Sequence, residues 1–337
     1  LKRNTFLNIK FENMLDTLGE MSRTDLYSYL KEWEQLTPLP FYSIGEPELT
    51  KVVNKGGEEF FVLKVLVSNN SDYDGIIQMN VLQNGWWYQP MEDPRARKKV
   101  EIAAHTSKEF VSVWEEQIRD VEINTMVSGN LPYMIRQSIG NVKQERNKIV
   151  KDTIYTLPES SLEMPGEVIV DNEDSTLFVL STPAVVGLLP KWLDKVEDTS
   201  FKYSGISWWR APLQWTATTN AKYYGKYIRS AYVIKSGDGS QTATWKIPVP
   251  EAGQYELYYH VFKDDELRWN DRLQGEYHFR VAYDSEMEDA YINLRKANEG
   301  WEQLGTYYFS ADTVRVVLTD ECKLRSVTAD AVKIVKR

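Results

Sequence analysis

Apolar side chains recur at every second position through most of this chain, the spacing of strands that turn one face toward a core. Ile77, Met79 and Val81 make one such row, and Ala243, Trp245, Ile247 and Val249 make another. Tyr255, Leu257, Tyr259 and Val261 make a third, with Glu256, Tyr258 and His260 on the opposite face. Tyr277, Phe279 and Val281, then Val314, Val316 and Leu318, continue the alternation, while FFVLKVLVSN from Phe60 is apolar on both faces. KVEIAAH, EFVSVWEE and DVEINTMVSG add strand segments divided by polar turns, and Gly237-Asp238-Gly239 reads as a hairpin turn because glycine tolerates positive φ. Residues 1 to 45 follow a helical spacing instead. Phe11, Met14, Leu15 and Leu18 share one helix face, and Leu26, Tyr29, Leu30 and Trp33 stripe a second helix, capped by Ser22 or Thr24 and ended by Pro38 and Pro40.

The elements predict a mainly β protein in three parts: a helical lead-in over 1–50, an immunoglobulin-like β-sandwich over 51–158, and a jelly-roll-like β-sandwich over 166–337, both sandwiches antiparallel. The polar stretch 141–166 reads as the boundary, although Thr153 to Leu157 has strand character. An insert over 178–205 carries Trp192, Leu193 and Val196, the stripe of a short helix begun at Pro190. Trp301, beside Gly300 in a strand, is expected in the core.

Six segments occur in a distinctive order: VIVDNED at 168–174, YYGKYIRSA at 223–231, ATWKIPVP at 243–250, AGQYELYYHV at 252–261, GWEQLGTYYF at 300–309 and ADAV at 329–332. In that order they resemble the golvesin C-terminal domain, also called the xanthan-lyase carbohydrate-binding-like domain, over roughly residues 168–337. The resemblance implies a β-sandwich appended to extracytoplasmic enzymes such as polysaccharide lyases and peptidases. It also implies a binding or architectural role, and it carries over no catalytic residues.

Composition sharpens this picture in three ways. The 11 Trp and 20 Tyr exceed what packing alone needs and suit both a β-rich protein and sugar binding. A net charge of -9 argues against a nucleic-acid partner, and the densest basic run, RARKK at 95–99, reads as a solvated loop. With Cys322 as the single cysteine, neither an internal disulfide nor a thiolate metal cluster can form. No apolar run has the length of a membrane span, and the start at Leu1 is read as the start of a fragment or processed form, with an upstream domain of the same polypeptide expected.

Sequence motifs for chemistry are sparse. His105, His260 and His278 form no HExxH, there is no GxSxG, and GDG lacks the Lys-Ser/Thr of a phosphate loop. Asp171, Glu173 and Asp174 group hard oxygens of the kind calcium favours, but their spacing falls short of an EF-hand, and a turn closed by side-chain hydrogen bonds is the favoured reading. No cofactor and no metal ligands are assigned. Asp330 is read as a buried hydrogen-bonding group. The aromatic clusters carry the functional expectation: Trp208, Trp209, Arg210 and Trp215 in SWWRAPLQW, Tyr223 and Tyr224 nearby, and Arg268 and Trp269 in a polar loop offer flat rings beside polar groups, as a pyranose requires. A second exposed candidate, Trp86-Trp87-Tyr88, belongs to the middle domain, with the plugging of a seam between domains as its alternative reading. The expected function is thus a non-catalytic accessory region, extracytoplasmic, binding polysaccharide or a cell-surface glycan to position an attached enzyme. A purely structural assembly module is the alternative, and an enzyme in its own right the third.

Overall fold

The computed structural model describes residues 11–22, 39–83, 93–140, 142–146, 150–159, 166–181, 202–206, 210–263, 275–284 and 286–337. One helix, α1 (Phe11–Ser22), forms on the expected face, with Leu15 buried. The second expected helix, the Trp86-Trp87-Tyr88 group and the helix at Pro190 lie outside the described residues. No described helix is long and apolar enough to cross a membrane.

Strands make up most of the other described residues. The first ten are β1 (Tyr42–Ile44), β2 (Glu48–Val53), β3 (Glu59–Asn69), β4 (Gly75–Gln83), β5 (Arg97–Ile102), β6 (Thr106–Trp114), β7 (Ile118–Asn124), β8 (Met134–Ser138), β9 (Val142–Arg146) and β10 (Thr153–Pro158). They form a six-stranded sheet, β10-β6-β3-β2-β9 with β1 on β3, and a four-stranded sheet, β5-β4-β7-β8. Leu49, Leu63, Val65 and Val67 of the first sheet and Ile77, Met79, Val81, Val121 and Ile123 of the second enclose one core.

The remaining twelve are β11 (Glu167–Val170), β12 (Phe178–Leu180), β13 (Thr216–Thr219), β14 (Ser230–Lys235), β15 (Thr242–Pro248), β16 (Gly253–Val261), β17 (Glu276–Tyr283), β18 (Glu286–Asn293), β19 (Gly300–Phe309), β20 (Thr313–Thr319), β21 (Ser326–Ala329) and β22 (Val332–Lys336). They pair as β11-β22-β16-β19, as β12-β15-β20-β17-β18 and as a separate β13-β14-β21. The rows Ala243/Trp245/Ile247/Val249, Tyr255/Leu257/Tyr259/Val261, Tyr277/Phe279/Val281 and Val314/Val316/Leu318 all point into a second core, as their alternation requires.

The fold is therefore mainly β, but the expectation of two antiparallel sandwiches is corrected. Among the described residues the strands divide into five small sheets, in which β13, β14 and β21 pair only among themselves and β9 joins β2 in parallel. Three local expectations change with it. Strands begin at Tyr42, inside the stretch read as helical, where the buried Tyr42 pairs with Asn69. The polar 141–166 connection contains β9 and β10, both edge strands with mostly exposed side chains: β9 is polar, and β10 exposes Ile154, Tyr155 and Leu157. The RARKK loop is a short 3-10 turn running into β5, whose Arg97, Lys98 and Lys99 pair with β4. Gly237-Asp238-Gly239 also departs from a hairpin: it carries the chain from one sheet to another. Gly239 and Gln241 donate to the Asp320 carboxylate there (2.8 and 3.2 Å).

The two cores meet through backbone. Leu131 bridges Ile228 in parallel, its N–H donating to Tyr227 O (3.0 Å) and its carbonyl accepting from Arg229 N (2.6 Å). Beside it the Asn130 amide holds both the N–H and the carbonyl of Tyr42 (2.9 and 2.7 Å), and Phe41 lies against Tyr227 with ring centroids 5.3 Å apart.

Candidate functional site

Asp330, in the two-residue link between β21 and β22, has no solvent exposure. A buried carboxylate must be met by donors, and three other motif segments supply its surroundings. His260 Nδ1 lies 2.8 Å from Asp330 Oδ2, and the Tyr224 N–H donates to both carboxylate oxygens at 3.2 Å. Trp245 Nε1 donates to the Asp330 carbonyl (3.2 Å), and the backbone N–H of His260 donates to the Ala331 carbonyl (2.9 Å). Arg229 completes the group: burial pushes its guanidinium down to about 10, against the pull of Asp330, Tyr224 and Glu46. Asp330 therefore anchors the loop between β13 and β14, and the expectation of a buried hydrogen-bonding role describes it.

Outward from this anchor an aromatic platform covers the outer face of the β11-β22-β16-β19 sheet. Tyr224 packs on Trp301 and His260, with ring centroids 5.1 and 5.8 Å apart, and His260 meets Trp301 edge-on at 5.1 Å. The Lys333 ammonium sits over both Trp301 (4.9 Å) and Tyr258 (5.4 Å) and pairs with Glu167 at 2.8 Å, both side chains only 11% exposed. Nδ1 of His260 is committed to Asp330, so Nε2 is the nitrogen left to face a ligand; no described residue bonds it.

Trp301 itself is a correction, since it is half-buried on this outer face rather than in the core. A β-bulge explains it. Leu257 pairs with Gly305 but Tyr258 pairs with Gln303, so Leu304 is an extra residue, and the positions before it change faces. Tyr307 and Phe309 stay in the core while Trp301 comes to lie opposite the outward His260.

The acidic segment closes one side. Asp174 accepts from the Asp171 N–H (2.9 Å) and Asp171 from the Asn172 N–H (2.7 Å), the turn expected of this sequence. Burial raises Glu173, but bonds from Lys202, Ser230 and Tyr203 hold it below the usual carboxylate range. Among the described residues no three acidic, His or Cys side chains converge to hold a metal. Burial and then the charge of Asp330 push Asp171 well above its usual range, and burial raises Asp330 against the pull of His260. A carboxyl raised by folding keeps its proton where the unfolded chain has lost it. Its contribution is therefore full below an unfolded pKa of about 4 and is lost as pH rises through the folded value. Asp171→Asn should accordingly lose less stability than wild type between pH 4 and pH 7 in denaturant titrations; parallel pH profiles would contradict this.

Of the expected site residues, Tyr224 joins the platform. Tyr223, next to it, is buried, its ring and that of Phe262 meeting edge-on at 4.7 Å, so it offers no open surface to a ligand. Trp215 packs half-buried on the second core, its Nε1 buried without an acceptor among the described residues, and Arg210 is exposed. Trp208, Trp209, Arg268 and Trp269 lie outside the described residues. The sequence nominated none of His260, Trp301 and Lys333 for the site; Trp301 was expected in the core, and the outward parity of His260 was the one available signal. His278 stacks on Tyr291 (4.9 Å) between Asp289 and Glu321, and burial pushes the Cys322 thiol up, opposite to an activated nucleophile.

Residues 208–336 match the golvesin C-terminal domain family, less than half of the chain but nearly all of this site. No curated protein matches the sequence. Among solved structures, a calcium-binding mutant of Bacteroides uniformis beta-glucuronidase 2 is similar at 9% identity and a TM-score of 0.23, over 86% of this chain and 30% of that one. The same enzyme bound to cyclophellitol-6-carboxylate aziridine gives 10% identity and a TM-score of 0.24, over 90% of this chain and 30% of that one. A Sulfolobus turreted icosahedral virus structure is similar at 10% identity and a TM-score of 0.18, covering 88% and 92%. The chain thus spans 30% of the length of the glucuronidases it matches.

Proposed function

We propose that this chain is a non-catalytic accessory region of a larger extracytoplasmic protein, binding carbohydrate through the platform of Tyr224, Tyr258, His260 and Trp301. The observation that carries the reading is the bulge that places Trp301 outside the core, on a polar face, beside a His whose orientation is locked by a buried carboxylate. A ring so placed suits the C–H face of a pyranose, and Nε2 of His260 suits a hydroxyl. Separate apolar clusters support the two β domains proposed for 51–158 and 166–337, the first cluster also taking in Tyr42 and Leu49, and the family match over 208–336 argues for an appended module. The assembly alternative draws on a different observation, the exposed Met126, Val127, Tyr133 and Met134 beside the junction.

Calorimetric titration with neutral gluco-, manno- and N-acetylglucosamine oligomers and with peptidoglycan tests the glycan reading. Trp301→Ala and Tyr224→Ala should each weaken binding at least about tenfold, or about 1.4 kcal/mol. A wild-type chain that binds none of these, or variants that bind equally well, would move the proposal to assembly.

A further inference from the structure

The outer face of the β12-β15-β20-β17-β18 sheet, across the second core from the aromatic platform, holds a concavity of about 340 Å³. Its walls are Arg280, Arg315, Thr242 and Thr244, and Val317, Ala282 and Met287 supply its apolar part. The register explains the composition. Arg280 pairs across strands with Val317, and Ala282 with Arg315, so the two guanidiniums are diagonal neighbours on one face. Lys246, opposite Arg315, adds a third cation. In a protein of net charge -9 such a group would ordinarily be neutralised, yet neither arginine forms an ion pair among the described residues. Asp289 stands directly opposite Arg280 but is drawn to His278 Nε2 (2.8 Å), while Glu321 is taken by Nδ1 of the same ring (3.3 Å). Arg280 Nε is left buried with no acceptor. An unmet buried donor is costly, and here it is a charged one.

We propose that this concavity binds the carboxylate of a uronic-acid residue in an acidic glycan. Guanidinium forks match a planar carboxylate in two parallel hydrogen bonds, which a lone ammonium cannot do. The threonine hydroxyls serve sugar hydroxyls, and Val317, Ala282 and Met287 offer surface to the C–H face of the ring. The volume falls at the lower end of the ~300–1,000 Å³ typical of small-ligand sites. The site stands independently of the platform on the opposite sheet.

The test titrates the full chain with oligogalacturonate, with glucuronate-containing oligosaccharides, with their neutral hexose counterparts and with an Asp/Glu-rich peptide. Oligouronates should bind more tightly than their neutral counterparts, and more weakly as salt rises. Arg280→Met and Arg315→Gln should each reduce uronate affinity at least tenfold and leave the affinity for neutral counterparts unchanged. If Arg280→Met does not fold, the exposed Arg315→Gln decides alone. The proposal is overturned by absence of uronate binding, by unchanged affinity in the arginine variants, by tighter binding of the peptide, or by loss in Trp301→Ala with retention in the arginine variants. The last outcome would assign the acidic sugar to the platform instead.

Discussion

Asp330→Ala should lower the unfolding free energy by about 3–5 kcal/mol, the range for removing one partner of a buried charge pair. The carboxylate faces His260, the Tyr224 N–H and the neighbouring Arg229 with no solvent exposure, so its removal leaves donors and positive charge with nothing to meet them. Asp330→Asn retains an acceptor for the Tyr224 N–H and should lose less. Denaturant midpoints for the two variants check the argument, and an alanine variant within about 1 kcal/mol of wild type would refute it.

Trp245→Ala should be comparably severe, about 3–5 kcal/mol for deletion of a large buried ring. Trp245 is fully buried at the centre of the second core, tilted against Phe178 at 5.4 Å and edge-on to Tyr259 at 6.1 Å. Its Nε1–H also holds the Asp330 carbonyl, so the two losses should not add. Thermal and denaturant unfolding of both single variants and the double variant measure the coupling. A strictly additive double variant would mean that the ring supports the core without supporting the carboxylate.

Trp245 and Tyr259 illustrate what alternation makes legible, because a residue with apolar neighbours at two-residue spacing on an unbroken strand can face only one way. Trp301 illustrates the limit. One extra residue at Leu304 inverts its face, and nothing in GWEQLG distinguishes a bulged strand from a regular one. Strand β9 escaped for another reason: an edge strand of polar, mostly exposed side chains carries no apolar row to read, whereas β10 showed its strand character from Thr153 to Leu157. For the candidate site, Tyr224 was visible as an aromatic beside a glycine and Asp330 as an apolar-flanked acid. Their meeting with His260 spans 106 and 70 residues of chain and is made by sheet pairing, which local pattern does not encode. The Arg280 concavity was hidden likewise, since its basic residues are scattered along three strands.

The loop between β13 and β14 has two attachments. Its Tyr224 end is fastened to Asp330 in the second core, and its Tyr227–Arg229 end is laced to Leu131 of the first. Force drawing the two cores apart at this junction would pass through this short run of chain, making the buried carboxylate a mechanical rivet. Weakening that rivet would slacken the loop that carries Tyr224 and, with it, the orientation in which one half of the molecule presents the other.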